Sequence, residues 1–438
     1  MPEARTVKDR LGRYLLADGK DIVIDLRASK GSWLVDKATG DRYLDCFSMF
    51  ASMAVGYNHD KLLAAREDLA RIAINKPANS DIYSEEMAEF VETFARYAMP
   101  STLPHLFCIE GGAMAVENGL KTAFDWKVRK NFEKGYSEPK GTKIIHFRQA
   151  FHGRSGYTLS LTNSADPRKT RYFPVFDWPR IINPKITFPL NSENLARVRD
   201  LERQALAQIL EAIDREGDSI AGLIIEPIQG EGGDNHFRRE FLQELRRLCD
   251  GHEMLLIVDE VQTGVGLTGK FWAHEHFGFS PDILCFGKKT QVCGMLASRR
   301  IDEVRNNVFQ ESSRINSTFG GNLVDMARFS LILKIIEEER LVTNAAVRGR
   351  ELLHGLQRLE EEFAPLVTNA RGLGLMCAFD LPDTAGRDKV LAGLLEERLL
   401  LLGCGHRSIR FRPHLNITAE EIDHALAIVR KVLDGLRP

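Results

Sequence analysis

Met254-Leu255-Leu256-Ile257-Val258-Asp259 runs five apolar residues into a carboxylate. An unbroken apolar run this short is the pattern of a strand buried on both faces. Lys143-Ile144-Ile145-His146-Phe147, Gly222-Leu223-Ile224-Ile225-Glu226 and Ile283-Leu284-Cys285-Phe286 have the same character. Helical patterns separate these runs. Upstream, Met87, Phe90, Val91 and Phe94 recur at three- and four-residue spacing and set one apolar stripe on a helix. Buried strands alternating with helices make parallel βαβ units. The expected fold class is therefore α/β, a doubly wound and mostly parallel sheet with ligands at the carboxyl ends of its strands.

That pattern fills residues 61–325. Over 326–438 it gives way to long helices, with strands expected within Gly372 to Asp380 and Ile409 to Phe411, the outline of a smaller α+β domain. Residues 1–60 are expected to pack with this smaller domain. Thr418-Ala419-Glu420-Glu421 predicts a capping box, since hydroxyl and carboxylate can each satisfy an orphan amide at a helix start. Ile422, Ala425, Leu426 and Val429 then mark the buried face. No repeat, low-complexity tract or Pro/Ser linker divides the chain, so the domains should share an extensive interface.

With 438 residues, and about 150 per domain, two to three domains are expected. Lys plus Arg number 59 against 61 Asp plus Glu, a net charge of −2, which gives no general field for nucleic acid or anionic lipid. No apolar run approaches a membrane span. The N-terminus, Met1-Pro2-Glu3-Ala4-Arg5, lacks the apolar core of a secretory signal, so a cytoplasmic protein is expected. Seven cysteines without a CxxC pair argue against a disulfide scaffold or structural zinc and for buried free thiols.

Two strings mislead. Gly264-Val265-Gly266-Leu267-Thr268-Gly269 matches a dinucleotide fingerprint, but the strand before it ends five residues too early, and as a phosphate loop it has Phe271 where a hydroxyl is needed. A glycine-rich surface turn is the expectation. His274-Glu275-His276 places two imidazoles about 200° apart on a helix, unsuited to a shared metal, so a partly solvated amphipathic helix is expected and no metal site.

Four segments put unusual chemistry at strand ends. Asp259 closes an apolar strand, and a buried carboxylate needs a cationic partner. Phe286-Gly287-Lys288-Lys289 offers a lysine that burial can deprotonate. Glu110-Gly111-Gly112-Ala113, between the run Leu106 to Ile109 and a helix starting near Met114, forms an amide-lined anion site. Phe151-His152-Gly153-Arg154 sets an aromatic face beside a guanidinium. Singly, these read as a helix cap, a solvated lysine, a packing turn and a surface ion pair. Together they describe a site for an aromatic, phosphorylated aldehyde with a basic ring nitrogen, which is pyridoxal 5′-phosphate.

On these segments the chain resembles the class III, ω-type aminotransferases of pyridoxal-phosphate fold type I, over nearly its whole length. Further matching pieces are Glu226-Pro227-Ile228-Gln229-Gly230-Glu231-Gly232-Gly233, Asp259-Glu260-Val261-Gln262-Thr263-Gly264, Asn316-Ser317-Thr318 and Ile409-Arg410-Phe411-Arg412-Pro413. Within the family it looks most like the lysine 6-aminotransferases, on 75–81, 153–163 and 286–294. The alternative is a 4-aminobutyrate or other ω-amino acid aminotransferase, which 270–276 also resembles. Animal members of that second group carry two cysteines around the phosphate turn. Gly111 and Met114 stand there instead, which excludes an iron–sulfur cluster bound in that manner.

The resemblance implies an enzyme of lysine catabolism that moves the ε-amino group of L-lysine to 2-oxoglutarate. The products would be L-2-aminoadipate 6-semialdehyde, which cyclises to 1-piperideine 6-carboxylate, and L-glutamate. It implies that Lys288 holds the cofactor covalently and shuttles a proton, that Asp259 keeps the pyridine nitrogen protonated, and that Gln262 bonds the phenolic oxygen. Val261 and Phe151 would sandwich the ring. The Gly112 and Ala113 amides and the partner subunit's Thr318 would hold the phosphate, which implies a homodimer with shared sites. Arg154 would anchor the α-carboxylate of lysine, Glu231 and Arg410 would form a substrate switch, and Phe50 and Asn316 would shape the pocket. Two rival readings are weaker: a ligand-sensing transcription regulator, which needs a DNA-binding domain that 1–60 is too short and charge-balanced to supply, and a nicotinamide dehydrogenase.

Overall fold

The computed structural model describes residues 4–437; Met1 to Glu3, the head of the charge-mixed N-terminus, and Pro438 lie outside them. Seven strands form the central sheet: β1 (His105–Ile109), β2 (Lys143–Phe147), β3 (Arg180–Ile181), β4 (Ile220–Ile225), β5 (Leu255–Asp259), β6 (Ile283–Phe286) and β7 (Cys293–Ala297). Their spatial order is β1-β7-β6-β5-β4-β2-β3. Neighbours from β6 through β5, β4 and β2 to β3 are parallel, and β7 alone runs antiparallel to both of its neighbours. Every residue of β4, β5, β6 and β7 is buried, which is why their sequences do not alternate. The chain is thus an α/β protein with a mostly parallel sheet. Register sets Cys285 of β6 beside Asp259 of β5, so the carboxylate and the segment that follows β6 emerge at one edge.

The helix Glu85–Tyr97 starts on Ser84, whose hydroxyl accepts from the Met87 amide. It buries Phe90 and Phe94, with the Phe94 ring 5.1 Å from that of Phe286 on the sheet. Met87 also packs against this core, whereas Val91, expected on the same stripe, points outward and is 37% exposed. Helix α1 (Gly112–Glu133) follows β1 and starts two residues before the expected Met114, since Gly111, at a φ of +90°, turns the chain straight from strand to helix.

The stretch from Gly372 to Asp380 divides into a hairpin of Thr368–Leu373 and Met376–Asp380, joined at Gly374. With Ser408–Phe411 and Leu402–Cys404 it forms a four-stranded antiparallel sheet. Near the N-terminus, Trp33–Val35 pairs with Arg42–Asp45, which in turn pairs in parallel with Leu399–Leu400. The Arg412 amide also donates to the Cys46 carbonyl at 2.7 Å. One apolar cluster runs from Phe94 and Phe286 to Leu375, Phe379 and Phe411, so the sheets share a continuous core. The capping box at 418–421 forms with both bonds, and Glu421 also accepts from Ser32. No described helix is long and apolar enough to cross a membrane.

The glycine-rich string is a buried loop and not the expected surface turn. A Cβ on Gly264 would lie 2.5 Å from the Trp272 ring, and one on Gly269 would lie 2.8 Å from Ala346 of the helix Leu341–Glu362. Gly269 therefore serves close packing between loop and helix, and Gly264 close packing within the loop. His274 and His276 lie on a short 3-10 turn, Ala273–His276, in place of the expected amphipathic helix. His274 is buried against Glu260, Nδ1 to Oε1 at 2.9 Å, while His276 bonds Thr268. All seven cysteines are free.

Candidate active site

The turn out of β1, the loop entering helix α2 (Gly156–Leu161), and the ends of β4, β5 and β6 converge on a cavity of about 260 Å³. Lys288 reaches it from the end of β6. Its backbone sits at a φ of +55°, a region costing on the order of 1–3 kcal/mol and kept only where packing over-determines it. Burial, and then the Arg410 charge, pull the Lys288 ammonium down to about 7, against the opposing pull of Asp259. A large fraction of the amine is therefore neutral near pH 7. Lys289 is buried too, but its Nζ donates to the Gln262 carbonyl at 3.0 Å and it does not line the cavity. The structure thus separates two adjacent lysines.

Asp259 lines the cavity at the end of β5. Its Oδ1 accepts from the Val261 amide at 3.0 Å and its Oδ2 lies 2.8 Å from His152 Nδ1. The partner that Asp259 meets on the protein side is thus the imidazole of His152. His152, quoted in its motif without a role, is 3% exposed and lines the cavity. Glu226 was also unassigned. Its Oε1 accepts from the Phe151 amide at 2.9 Å and its Oε2 from the Gly230 amide at 3.0 Å, tying two loops to the cavity wall. Burial lifts its carboxyl to about 7. Glu226, like Asp259, is a carboxylate at the end of an apolar strand, whereas His152 lies in the loop beyond β2, where no strand-end signal marks it.

Gln262 is oriented by Arg412. Its Oε1 accepts from Arg412 Nε at 3.1 Å and Nη2 at 2.9 Å, which leaves the side-chain amide to donate. Arg412 is itself paired with the buried Asp234. Gly112 and Ala113, opening the 22-residue helix α1, line the cavity; no side chain caps this helix and its first turn holds no acid. A Cβ on Gly112 would lie 2.9 Å from Val261 Cγ1, so glycine lets the amides approach. Phe151 and Val261 also line the cavity. A partly neutral lysine, a buried carboxylate, uncapped helix amides and apolar walls fit pyridoxal 5′-phosphate, group for group.

The substrate end is arranged differently from expectation. Glu231 lines the cavity, but its Oε1 accepts from Ser164 Oγ at 2.7 Å and from Lys169, and no ion pair joins it to Arg410 among the described residues. The buried Arg410 donates through Nη1 to the Gly230 carbonyl at 3.0 Å, and its Nε has no partner. Arg154, next to the cavity-lining Gly153, is exposed and makes no ion pair with a described residue. Phe50 does not line the cavity. It is 56% exposed on a left-handed turn, Ser48 to Ala51, with its ring edge-on to Phe47. Asn316 and Thr318 are exposed and outside the cavity. Their segment is clamped to 75–81, where the Asn79 side chain donates to the Gly321 carbonyl and Lys76 lies 4.1 Å from the Phe319 ring.

Residues 15–433 match the family aminotransferase class-III. An L-lysine-epsilon aminotransferase of Mycobacterium tuberculosis is 52% identical over 98% of the chain and 95% of its own length. That of Amycolatopsis lactamdurans is 50% identical over 97% and 95%. The human mitochondrial 4-aminobutyrate aminotransferase is 32% identical over 94% and 85%. Among solved structures, a lysine aminotransferase from M. tuberculosis in the internal aldimine form superposes with a TM-score of 0.96 at 51% identity, covering 99% of both chains.

Proposed function

We propose, from the premise that the chain belongs to the class-III aminotransferases, that it transfers the ε-amino group of L-lysine to 2-oxoglutarate. The products are L-glutamate and L-2-aminoadipate 6-semialdehyde, which closes on its own α-amine to 1-piperideine 6-carboxylate. One observation carries the reading of the cavity: the buried, partly neutral Lys288 shares it with Asp259 and lies within the field of Arg410, a buried guanidinium without a carboxylate partner. The relatives favour lysine as donor over 4-aminobutyrate, at about half of positions identical against a third.

When bound, pyridoxal 5′-phosphate supplies a reactive carbonyl and an electron-poor ring. Lys288 would hold it covalently and carry the proton between substrate and cofactor carbons. Asp259, braced by His152, would keep the ring nitrogen protonated, and the Gln262 amide would donate to the phenolic oxygen. Phe151 and Val261 would cover the ring faces, while the amides of Gly112 and Ala113 would meet the phosphate. Arg154 takes the α-carboxylate of lysine. Arg410 takes the α-carboxylate of glutamate, with Glu231 as its mask in the lysine half-reaction. Phe50 and Asn316 lie near the substrate path only once a second subunit packs on this face. Asn316 and Thr318 are exposed and so accessible to a second subunit, and the family likeness favours a homodimer in which the partner subunit's Thr318 completes the phosphate site. Free cysteines suit a reducing, cytoplasmic setting, and lysine as donor would give the enzyme a role in lysine catabolism.

Lysine, ornithine, 4-aminobutyrate and β-alanine compared as donors to 2-oxoglutarate test this directly. Lysine is expected to give the fastest turnover and a cyclic imine product. Turnover of 4-aminobutyrate without turnover of lysine establishes the alternative donor.

A further inference from the structure

Glu231 and Arg410 each carry one buried polar atom without a partner: Oε2 on the carboxylate and Nε on the guanidinium. An acceptor and a donor left unmade in one region are complementary, and pairing them would satisfy both. In this structure the other carboxylate oxygen is engaged elsewhere. Glu231 Oε1 accepts from Lys169 Nζ and from Ser164 Oγ at 2.7 Å. Lys169 ends a short turn, Pro167–Lys169, that starts on Asp166, and its ammonium lies 5.8 Å from the Phe151 ring. That ring contact gives the ammonium a second anchor, so its position does not depend on Glu231 alone. The Glu231 backbone is fixed as well, its carbonyl accepting from the Gly405 amide at 2.8 Å. The side chain therefore has two docking stations on one fixed backbone.

We propose that Lys169 is a specificity-determining positioning residue: it captures Glu231 away from Arg410 and so holds Arg410 open for the second carboxylate of a dicarboxylic substrate. The inference rests on the reading that one cavity accepts both a monocarboxylate amine and a dicarboxylate. With Glu231 on Lys169, Arg410 is free for a dicarboxylate. With Glu231 on Arg410, the cavity suits a substrate that brings one carboxylate. Lys169 does not touch substrate; it biases the equilibrium between the two states, and a ligand reads that bias as affinity.

The test uses the holoenzyme and two unreactive acids, glutarate and hexanoate, with affinities measured by calorimetry. Lys169→Met should weaken glutarate about fivefold, the size expected of a partly exposed ion pair. Hexanoate binding should hold or tighten, and Lys169→Arg should restore glutarate. In a Glu231→Ala background, Lys169→Met should change neither affinity, because nothing is left to capture. Equal weakening of both acids, or a loss of glutarate affinity that persists in the Glu231→Ala background, overturns the proposal. A failed lysine assignment shows separately, in the donor comparison, and leaves the glutarate-to-hexanoate split untouched.

Discussion

The two ends of the cavity are built on opposite principles. At the cofactor end, both oxygens of Asp259 are engaged, both oxygens of Glu226 accept backbone amides, and Gln262 is locked by an arginine that is itself locked by Asp234. At the substrate end, Glu231 and Arg410 each keep a buried atom unsatisfied, a condition worth about 1–3 kcal/mol per group. His152 Nε2 is without a partner there too, but carboxylates held through both oxygens leave one arrangement, as preorganised electrostatics require. Unsaturated bonding leaves two of similar energy, as an enzyme with two unlike substrates requires. Substitutions at the first end should therefore damage both half-reactions together, and those at the second should divide them.

The largest effect is expected from Lys288→Ala. Loss of both the covalent anchor and the proton carrier should cut both half-reactions by about 10⁴-fold or more. In the wild-type holoenzyme, borohydride reduction followed by peptide mapping should place the adduct on Lys288; an adduct on Lys289 would refute the separation of the two lysines. Next comes Asp259→Asn, which keeps the shape of the pair with His152 but removes the charge. Turnover should fall by about 10²–10³-fold in both directions, with cofactor content nearly unchanged. Near-normal rates would show that Asp259 only supports His152.

A smaller and divided effect is expected from Glu231→Ala. Without its mask Arg410 attracts the carboxylate of lysine to the wrong place, so the lysine half-reaction should slow about tenfold, or roughly 1.4 kcal/mol. The glutamate half-reaction should hold or quicken. Single-turnover absorbance of the cofactor reads each half separately, and equal slowing would assign Glu231 to the fold alone.

This contrast also explains what could be read from the sequence. Buried strands announce themselves as apolar runs, so β2 and β6 fall within the expected bounds and β4 and β5 within two residues of them. Residues at the ends of those runs were legible for the same reason, Asp259 and Lys288 foremost. Glu226 and His152 were not singled out, because what they do depends on which loops lie across from them, and spacing does not encode that. Nor could sequence show that Gly269 faces Ala346, which lies in a distant helix, or that the loop folds Trp272 back onto Gly264. The Glu231–Arg410 pair was expected from resemblance; that Lys169 occupies Glu231 follows only from the path of the 164–169 segment.

The smallest effect tests whether the two ends communicate. Arg410 belongs to the substrate end, yet its charge is second only to burial in lowering the Lys288 ammonium to about 7. Only the neutral amine attacks the cofactor carbonyl, so in cofactor-free protein the rate of covalent capture should rise about tenfold per pH unit below 7 and level off above it. The stability consequence has a definite sign. Lys288 titrates near 7 when folded but near 10.5 when unfolded, so between these values the unfolded chain binds more protons and stability rises with pH. Arg410→Met removes a like charge, so the ammonium becomes easier to keep and the capture midpoint should move upward, by less than about one pH unit because burial remains. Stopped-flow absorbance on mixing cofactor-free protein with pyridoxal 5′-phosphate from pH 6 to 9 gives both midpoints. Ionisation of the cofactor's own phosphate is common to both proteins and cancels in the difference. An unchanged midpoint would mean that the substrate end does not act on Lys288, and that the two regions differ in charge as completely as they do in hydrogen bonding.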